Sequence, residues 1–275
     1  MTDSPQDEIR RGERFAFGEN WRGFLRLLDD ERIAQAEADL LRMLDAERLD
    51  GRSFLDIGSG SGLSSLAARR RGAAVTSFDY DEQSVACTAW LRNEKCPGDA
   101  GWKVLQGSVL DPGFIDGLGS FDIVYSWGVL HHTGQMWTAL DHACGRVRPG
   151  GTLFIAIYND QAWQSRVWRR VKRIYCSGTP GRLAMLALFI PLFLVIRAVS
   201  AALQGRNPLR IFPDYKKSRG MSLWRDWLDW LGGYPFEVAT PEAIFDFCKA
   251  RGFALERLRT VRGWGCNEFV FERRG

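Results

Sequence analysis

The chain has 275 residues, room for one large domain or for one domain carrying an insertion. Its six cysteines form no C-x-x-C pair and no metal-finger spacing, and residues 1–14 are charged with no apolar run. That argues against a disulfide scaffold, a zinc module and a secretory leader, and for reduced thiols in a cytoplasmic protein. The net charge is only +4, but residues 161–220 hold twelve Lys/Arg against one acid, a local +11 that leaves the remainder at −7. The basic character therefore belongs to one surface.

In chain order, residues 1–14 read as a frayed polar arm. Phe15, Phe17, Trp21, Phe24, Leu25 and Leu28 follow as a short aromatic helix or docking segment. Asp29 or Asp30 caps a helix running to about Leu49, with Ile33, Ala36, Leu40 and Leu44 on one face. Residues 1–50 thus form a helical cap. Strands are expected at 53–57, 74–79, around Val104 and Leu105, at 121–127 and at 152–158, with helices at 62–71, 83–93 and 135–147 between them. This alternation predicts a parallel α/β sheet.

After Tyr158 the alternation stops. Residues 160–235 form a charged, aromatic insertion that must be largely helical, because so long a structureless loop is rare inside a compact domain. Ser222 caps a short helix carrying Trp224, Trp227, Leu228 and Leu231, and Thr240-Pro241-Glu242 starts another. Residues 253–261 and 267–272 read as two strands joined through Gly263–Gly265.

The most informative stretch is Phe54-Leu-Asp-Ile-Gly-Ser-Gly-Ser-Gly62, a strand end, a glycine turn and a helix start. The glycines suit a turn where backbone meets ligand and where helix-start N–H groups face it. A dinucleotide fingerprint needs a further Gly or Ala three residues on, and Leu63 or Ser65 stands there. Asp79 closes the second strand about 20 residues past the glycines, where a carboxylate accepts ribose hydroxyls. Tyr80 beside it suits covering a flat base.

These residues resemble the class I S-adenosylmethionine (SAM)-dependent methyltransferases over about 50–160 and 236–275. Asp56-Ile-Gly-Ser-Gly-Ser-Gly resembles their first motif and Asp79 their ribose-binding acid. Gln106-Gly107-Ser108 stands where the family often has Gly-Asp, with Ser108 in place of the acid. Phe121 to Trp127 with the following Gly-Val-Leu-His-His-Thr-Gly resembles strand four and its turn, and Arg148-Pro-Gly-Gly resembles the entry to strand five. The nearest likeness is to ubiquinone-type and bacterial natural-product or glycan methyltransferases. The resemblance implies a seven-stranded, doubly wound, Rossmann-like sheet with a reversed C-terminal hairpin, interrupted after strand five by the insertion. It implies SAM binding through Asp56, Gly58, Gly60, Gly62, Asp79, Tyr80, Ser108, Val109, Ser126 and Trp127. It places acceptor contacts near His131, Asn159, Tyr234 and Asn267.

The expected reaction is methyl transfer to an oxygen of a small-molecule, glycan or lipid-linked acceptor. N- or C-methylation on the same scaffold, and a non-catalytic SAM-binding regulator, are the alternatives. A base near neutral pKa suits an oxygen nucleophile. All three histidines lie within twelve residues: His131 and His132 follow strand four, and His142 sits mid-helix in a structural position. His132 and His131 are candidate bases, or else they orient the loop, and Glu237 is a further candidate. No third ligand accompanies the histidine pair at metal spacing.

Within the insertion, Leu183 to Ile196 is uncharged, interrupted by Pro191 and flanked by arginines. It is short for a spanning helix and reads either as an interfacial segment on the anionic inner face of a membrane or as a lid or homodimer helix over the pocket. Nucleic acid is disfavoured, because an apolar run is out of place on such a surface.

Overall fold

A computed structural model of the chain describes residues 5–205 and 223–275; Ser222 lies outside them. Helices α1 (Pro5–Arg10), α2 (Phe17–Leu25) and α3 (Asp30–Leu44) precede the sheet. Then come β1 (Ser53–Ile57), α4 (Leu63–Arg70), β2 (Ala74–Asp79), α5 (Glu82–Lys95), β3 (Trp102–Gln106), α6 (Pro112–Gly117) and β4 (Phe121–Trp127). A 3₁₀ turn at Leu130–His132 leads to α7 (Met136–Gly145) and β5 (Val147–Tyr158). The insertion contributes α8 (Trp163–Cys176), α9 (Thr179–Leu203) and α10 (Leu223–Gly232). Helix α11 (Pro241–Lys249) and strands β6 (Phe253–Arg259) and β7 (Cys266–Arg273) complete the fold.

The seven strands run β3-β2-β1-β4-β5-β7-β6. Strands β1 to β5 are parallel, and β7 lies antiparallel between β5 and β6. Chain order reverses between β1 and β4, so the crevice for a ligand lies beyond their carboxyl ends. Central strands of a parallel sheet are covered on both faces and read as apolar runs. Leu55, Ile57, Val124 and Ile155 pack with Ala139, Leu140 and Ile244 on one face. Phe54, Val75, Ile123 and Phe154 pack with Ile33, Leu40, Leu66 and Leu91 on the other. The insertion has a core of its own around Trp168, Val171, Tyr175, Leu231 and Phe236.

Several local expectations are corrected. The polar arm holds a helix at residues 5–10. Helix α3 is capped by the Asp29 side chain, which accepts the Arg32 N–H at 2.9 Å, but stops at Leu44 because Asp45 turns into the left-handed region at φ 52°. Residues 148–151 belong to β5, whose pairing with β4 shifts register across them. The uncharged run of 183–196 lies inside a 25-residue helix, through which Pro191 passes without ending it.

Candidate active site

A cavity of about 880 Å³ opens beyond β1, β2 and β4. One end is polar, walled by Asp56, Gly58, Ser59, Gly60, Asp79, Tyr80, Ser108 and Val109. The other is aromatic, walled by Tyr158, Trp168, Phe189, Phe193, Trp227, Trp230 and Trp264. Trp127 and His132 also line it, and Arg14, Phe15, Phe17 and Trp21 of the N-terminal segment close over it.

At the polar end, Asp79 is fixed from both sides. Its Oδ2 accepts the Gly60 N–H and its Oδ1 the Asp81 N–H, each at 2.9 Å. Each oxygen keeps a lone pair for a second donor. Burial pushes its pKa up to about 6, against the lowering effect of the two amides. Asp56, nearly inaccessible, is pushed up to about 7 by burial, opposed by the Ser65 hydroxyl that donates to it at 2.5 Å. Ser65 continues to Ser77 at 2.6 Å, and Ser77 accepts the Trp102 indole N–H at 2.8 Å. Asp56 therefore anchors the glycine loop to the sheet as well as lining the cavity.

The glycines are required for a reason other than ligand approach. Gly58, Gly60 and Gly62 have φ of 80°, 53° and 81°. A Cβ on Gly58 would strike the Val129 side chain, one on Gly60 the Trp21 indole, and one on Gly62 Thr88. Four of the loop amides are also spent internally. Gly58 and Ser59 donate to the Phe78 carbonyl, Gly60 to Asp79 and Gly62 to the Ser59 carbonyl. A pyrophosphate asks for free N–H donors, whereas this wall offers carboxylate acceptors. A nucleoside with ribose hydroxyls and no phosphate fits it, and SAM is such a ligand. Gly58→Ala is expected to destabilise the fold by about 2 kcal/mol from left-handed strain and overpacking, measurable by urea unfolding.

Tyr80 is held from the N-terminal side. Its hydroxyl donates to Glu8 Oε1 at 3.2 Å, and the Arg14 guanidinium lies 4.9 Å over its ring. Arg14 pairs with Glu8 at 2.5 Å and donates to the His132 carbonyl at 3.1 Å. The arm read as frayed thus roofs the site.

His132 Nδ1 lies 2.6 Å from the Pro235 carbonyl. A carbonyl only accepts, so Nδ1 carries the proton and Nε2 is left as the acceptor. Burial pushes its pKa down to about 3, so the ring is neutral at ordinary pH but a weaker base than the near-neutral one expected from the sequence. Phe17 packs on it at 5.0 Å and Tyr158 meets it edge-on at 5.4 Å.

Other expected site residues do not line the cavity. His131 is fully buried, its Nδ1 accepting the Tyr158 N–H at 3.3 Å, which orients the end of β5. Glu237 accepts the Met136 N–H at 2.9 Å and so caps α7, away from the cavity wall. Asn159 donates to the Val261 and Gly263 carbonyls and accepts from Asn267, so this pair ties β5 to the final hairpin. Tyr234 accepts the Phe15 N–H through its backbone. Gly62 starts α4, and the Ser126 hydroxyl donates to the Ile57 carbonyl. His142 holds the Val109 carbonyl at 2.7 Å, a structural role as expected. The aromatic wall went unassigned in the sequence, where its signal is the five of eleven tryptophans that fall in the insertion. Among the described residues no cluster of His, Cys, Asp and Glu has the makings of a metal site.

Residues 55–155 match the methyltransferase domain family. The ubiquinone biosynthesis O-methyltransferase of Paramagnetospirillum magneticum is 35% identical over 113 residues, which is 41% of this chain and 43% of that protein. The chain thus matches less than half the length of this curated relative. Among solved structures, magnesium protoporphyrin IX methyltransferase from Synechocystis PCC 6803 with bound SAM aligns at TM-score 0.52 and 13% identity, covering 98% of this chain and 90% of that one. An O-methyltransferase family protein from Burkholderia thailandensis aligns at TM-score 0.53 and 14% identity, covering 98% and 66%. These two likenesses establish the fold. Sheet order, glycine loop and family match agree: residues 55–155 carry a methyltransferase domain, set in the fold that class I SAM-dependent methyltransferases share.

Proposed function

We propose that this protein transfers a methyl group from SAM to an oxygen of a small, apolar, ring-bearing acceptor. When bound, SAM supplies an electrophilic methyl on a sulfonium sulfur. The chain's own task is to align the acceptor oxygen, take its proton and keep water out. Asp79 would hold the ribose hydroxyls on its two spare lone pairs, with Tyr80 and the Arg14–Glu8 pair closing over that end. His132 would take the acceptor's proton at Nε2, its Nδ1–H held by the Pro235 carbonyl. The aromatic walls would seat the ring of the acceptor, with Trp230 and Trp264 stacked at 5.5 Å and 25°.

The observation that carries the reading is a single cavity joining a carboxylate-bearing end to an aromatic end, with a neutral histidine on its wall. The O-methyltransferase name of the relative from Paramagnetospirillum magneticum agrees with an oxygen acceptor. The test is transfer of labelled methyl from SAM into a cell extract, split afterwards into organic and aqueous phases. Label is expected in the organic phase. Enzyme-dependent label confined to water would replace the apolar acceptor by a sugar or soluble metabolite. No label despite SAM binding in calorimetry would favour a non-catalytic binding protein.

A further inference from the structure

Helices α8 and α9 are joined by Ser177 and Gly178 and pack antiparallel. Trp168 meets Phe189 at 5.3 Å near one end, and Arg182 lies 5.6 Å over Tyr175 near the other. Gly181 permits the close crossing, since a Cβ there would strike the Ile174 carbonyl. The inner side of α9, including Met185, Leu186, Phe189, Ile190 and Phe193, packs on the insertion core. Its outer side is apolar and uncovered: Leu188 and Val195 are each 59% exposed, and Leu183, Val199 and Leu203 are exposed as well. So large an exposed apolar strip marks an interaction surface.

The neighbouring face of α8 carries exposed Arg166, Arg170 and Arg173, interleaved with exposed Trp163, Val167 and Ile174. None of these three arginines has a carboxylate partner among the described residues. An apolar strip beside an aromatic, cationic one is complementary to an anionic lipid surface. A second copy of the chain seated there would bring the arginine strips together, and like charges oppose that pairing. We infer that the outer face of the α8–α9 pair docks on an anionic bilayer.

The helix lies in the interface and does not span. By length and composition alone α9 is long and apolar enough to cross a membrane. Yet one side of it is held by protein, and Arg182 and Arg197 stand about 22 Å apart along the axis, short of a hydrocarbon core of about 30 Å. Leu192 and Ile196 are exposed on this helix and also line the cavity, so its mouth opens at the docked face. Entry of the acceptor from the bilayer through that mouth rests on the methyl-transfer reading; the docking does not.

The test is co-sedimentation of the full chain with phosphatidylcholine vesicles, with and without phosphatidylglycerol. Wild type should sediment with the anionic vesicles at low salt and leave them as salt rises. The double variant L188D/V195D should lose sedimentation while keeping its unfolding transition and SAM affinity. Replacing Arg166, Arg170 and Arg173 by Ala should weaken vesicle binding about fivefold per arginine and flatten its salt dependence. Wild type left in the supernatant with anionic vesicles at low salt overturns the docking. So does light scattering that shows a dimer which L188D/V195D converts to monomer without any effect of vesicles. Vesicle binding without organic-phase label would keep the docking and remove the acceptor reading. Organic-phase label without vesicle binding would do the reverse.

Discussion

His132→Asn is expected to lower kcat by about 10²- to 10⁴-fold, the usual contribution of a positioned base, and to leave SAM affinity unchanged. The Asn amide can still donate to the Pro235 carbonyl, which the wild-type Nδ1 approaches at 2.6 Å, so the loop keeps its anchor. What disappears is the acceptor nitrogen at Nε2. Loss of turnover with an intact unfolding transition and intact calorimetric SAM binding therefore reports proton removal. Unchanged kcat would assign His132 to loop orientation and favour N- or C-methylation. The pH profile adds a second check. Burial pushes the His132 pKa down to about 3, below its ordinary value, so protonation does not silence it near pH 6.5. At saturating SAM, kcat should show no acid limb from this residue between pH 5 and 8.

Asp79→Asn is expected to weaken SAM binding by about 1–3 kcal/mol, the cost of losing charge-assisted hydrogen bonds to a carboxylate. Calorimetry on the purified protein measures it directly. Wild-type affinity should depend on pH, with the sign set by burial. Asp79 is pushed up to about 6, so acidification below that value protonates the oxygens that would accept the ribose hydroxyls. Affinity should fall about tenfold per unit as pH drops below 6 and level off above it. The variant should lose this acid limb. An unchanged affinity at pH 7.5 would take Asp79 out of the site. Together the two substitutions separate binding from chemistry. Asp79 governs how pH acts on kcat/KM for SAM, and His132 governs kcat.

The parallel sheet was legible because strands buried on both faces must be written as apolar runs, and Phe54-Leu55-Asp56-Ile57 is one. Asp79 was legible for a related reason. It closes β2 next to β1, so its distance from the glycines along the chain is fixed by one βα unit. Helix caps at Asp29 and Thr240 could be read because a cap acts on residues two or three positions away.

What could not be read depends on contacts between distant segments. Arg14 reaches Tyr80 and His132 across the fold, and nothing in residues 1–14 announces that roof. The two histidines are adjacent in sequence, and only their amide and carbonyl partners 27 and 103 residues away separate a buried ring from a cavity-lining one. Glu237 is held at the start of α7 by the Met136 amide, 101 residues away, and does not line the cavity. Sequence by itself determined the scaffold and the acid that closes β2, because those follow from local periodicity and short fixed spacings. Tertiary structure alone decided which titratable groups face the cavity and which side of α9 is left bare, because burial and partner choice are set by chain segments that meet only on folding.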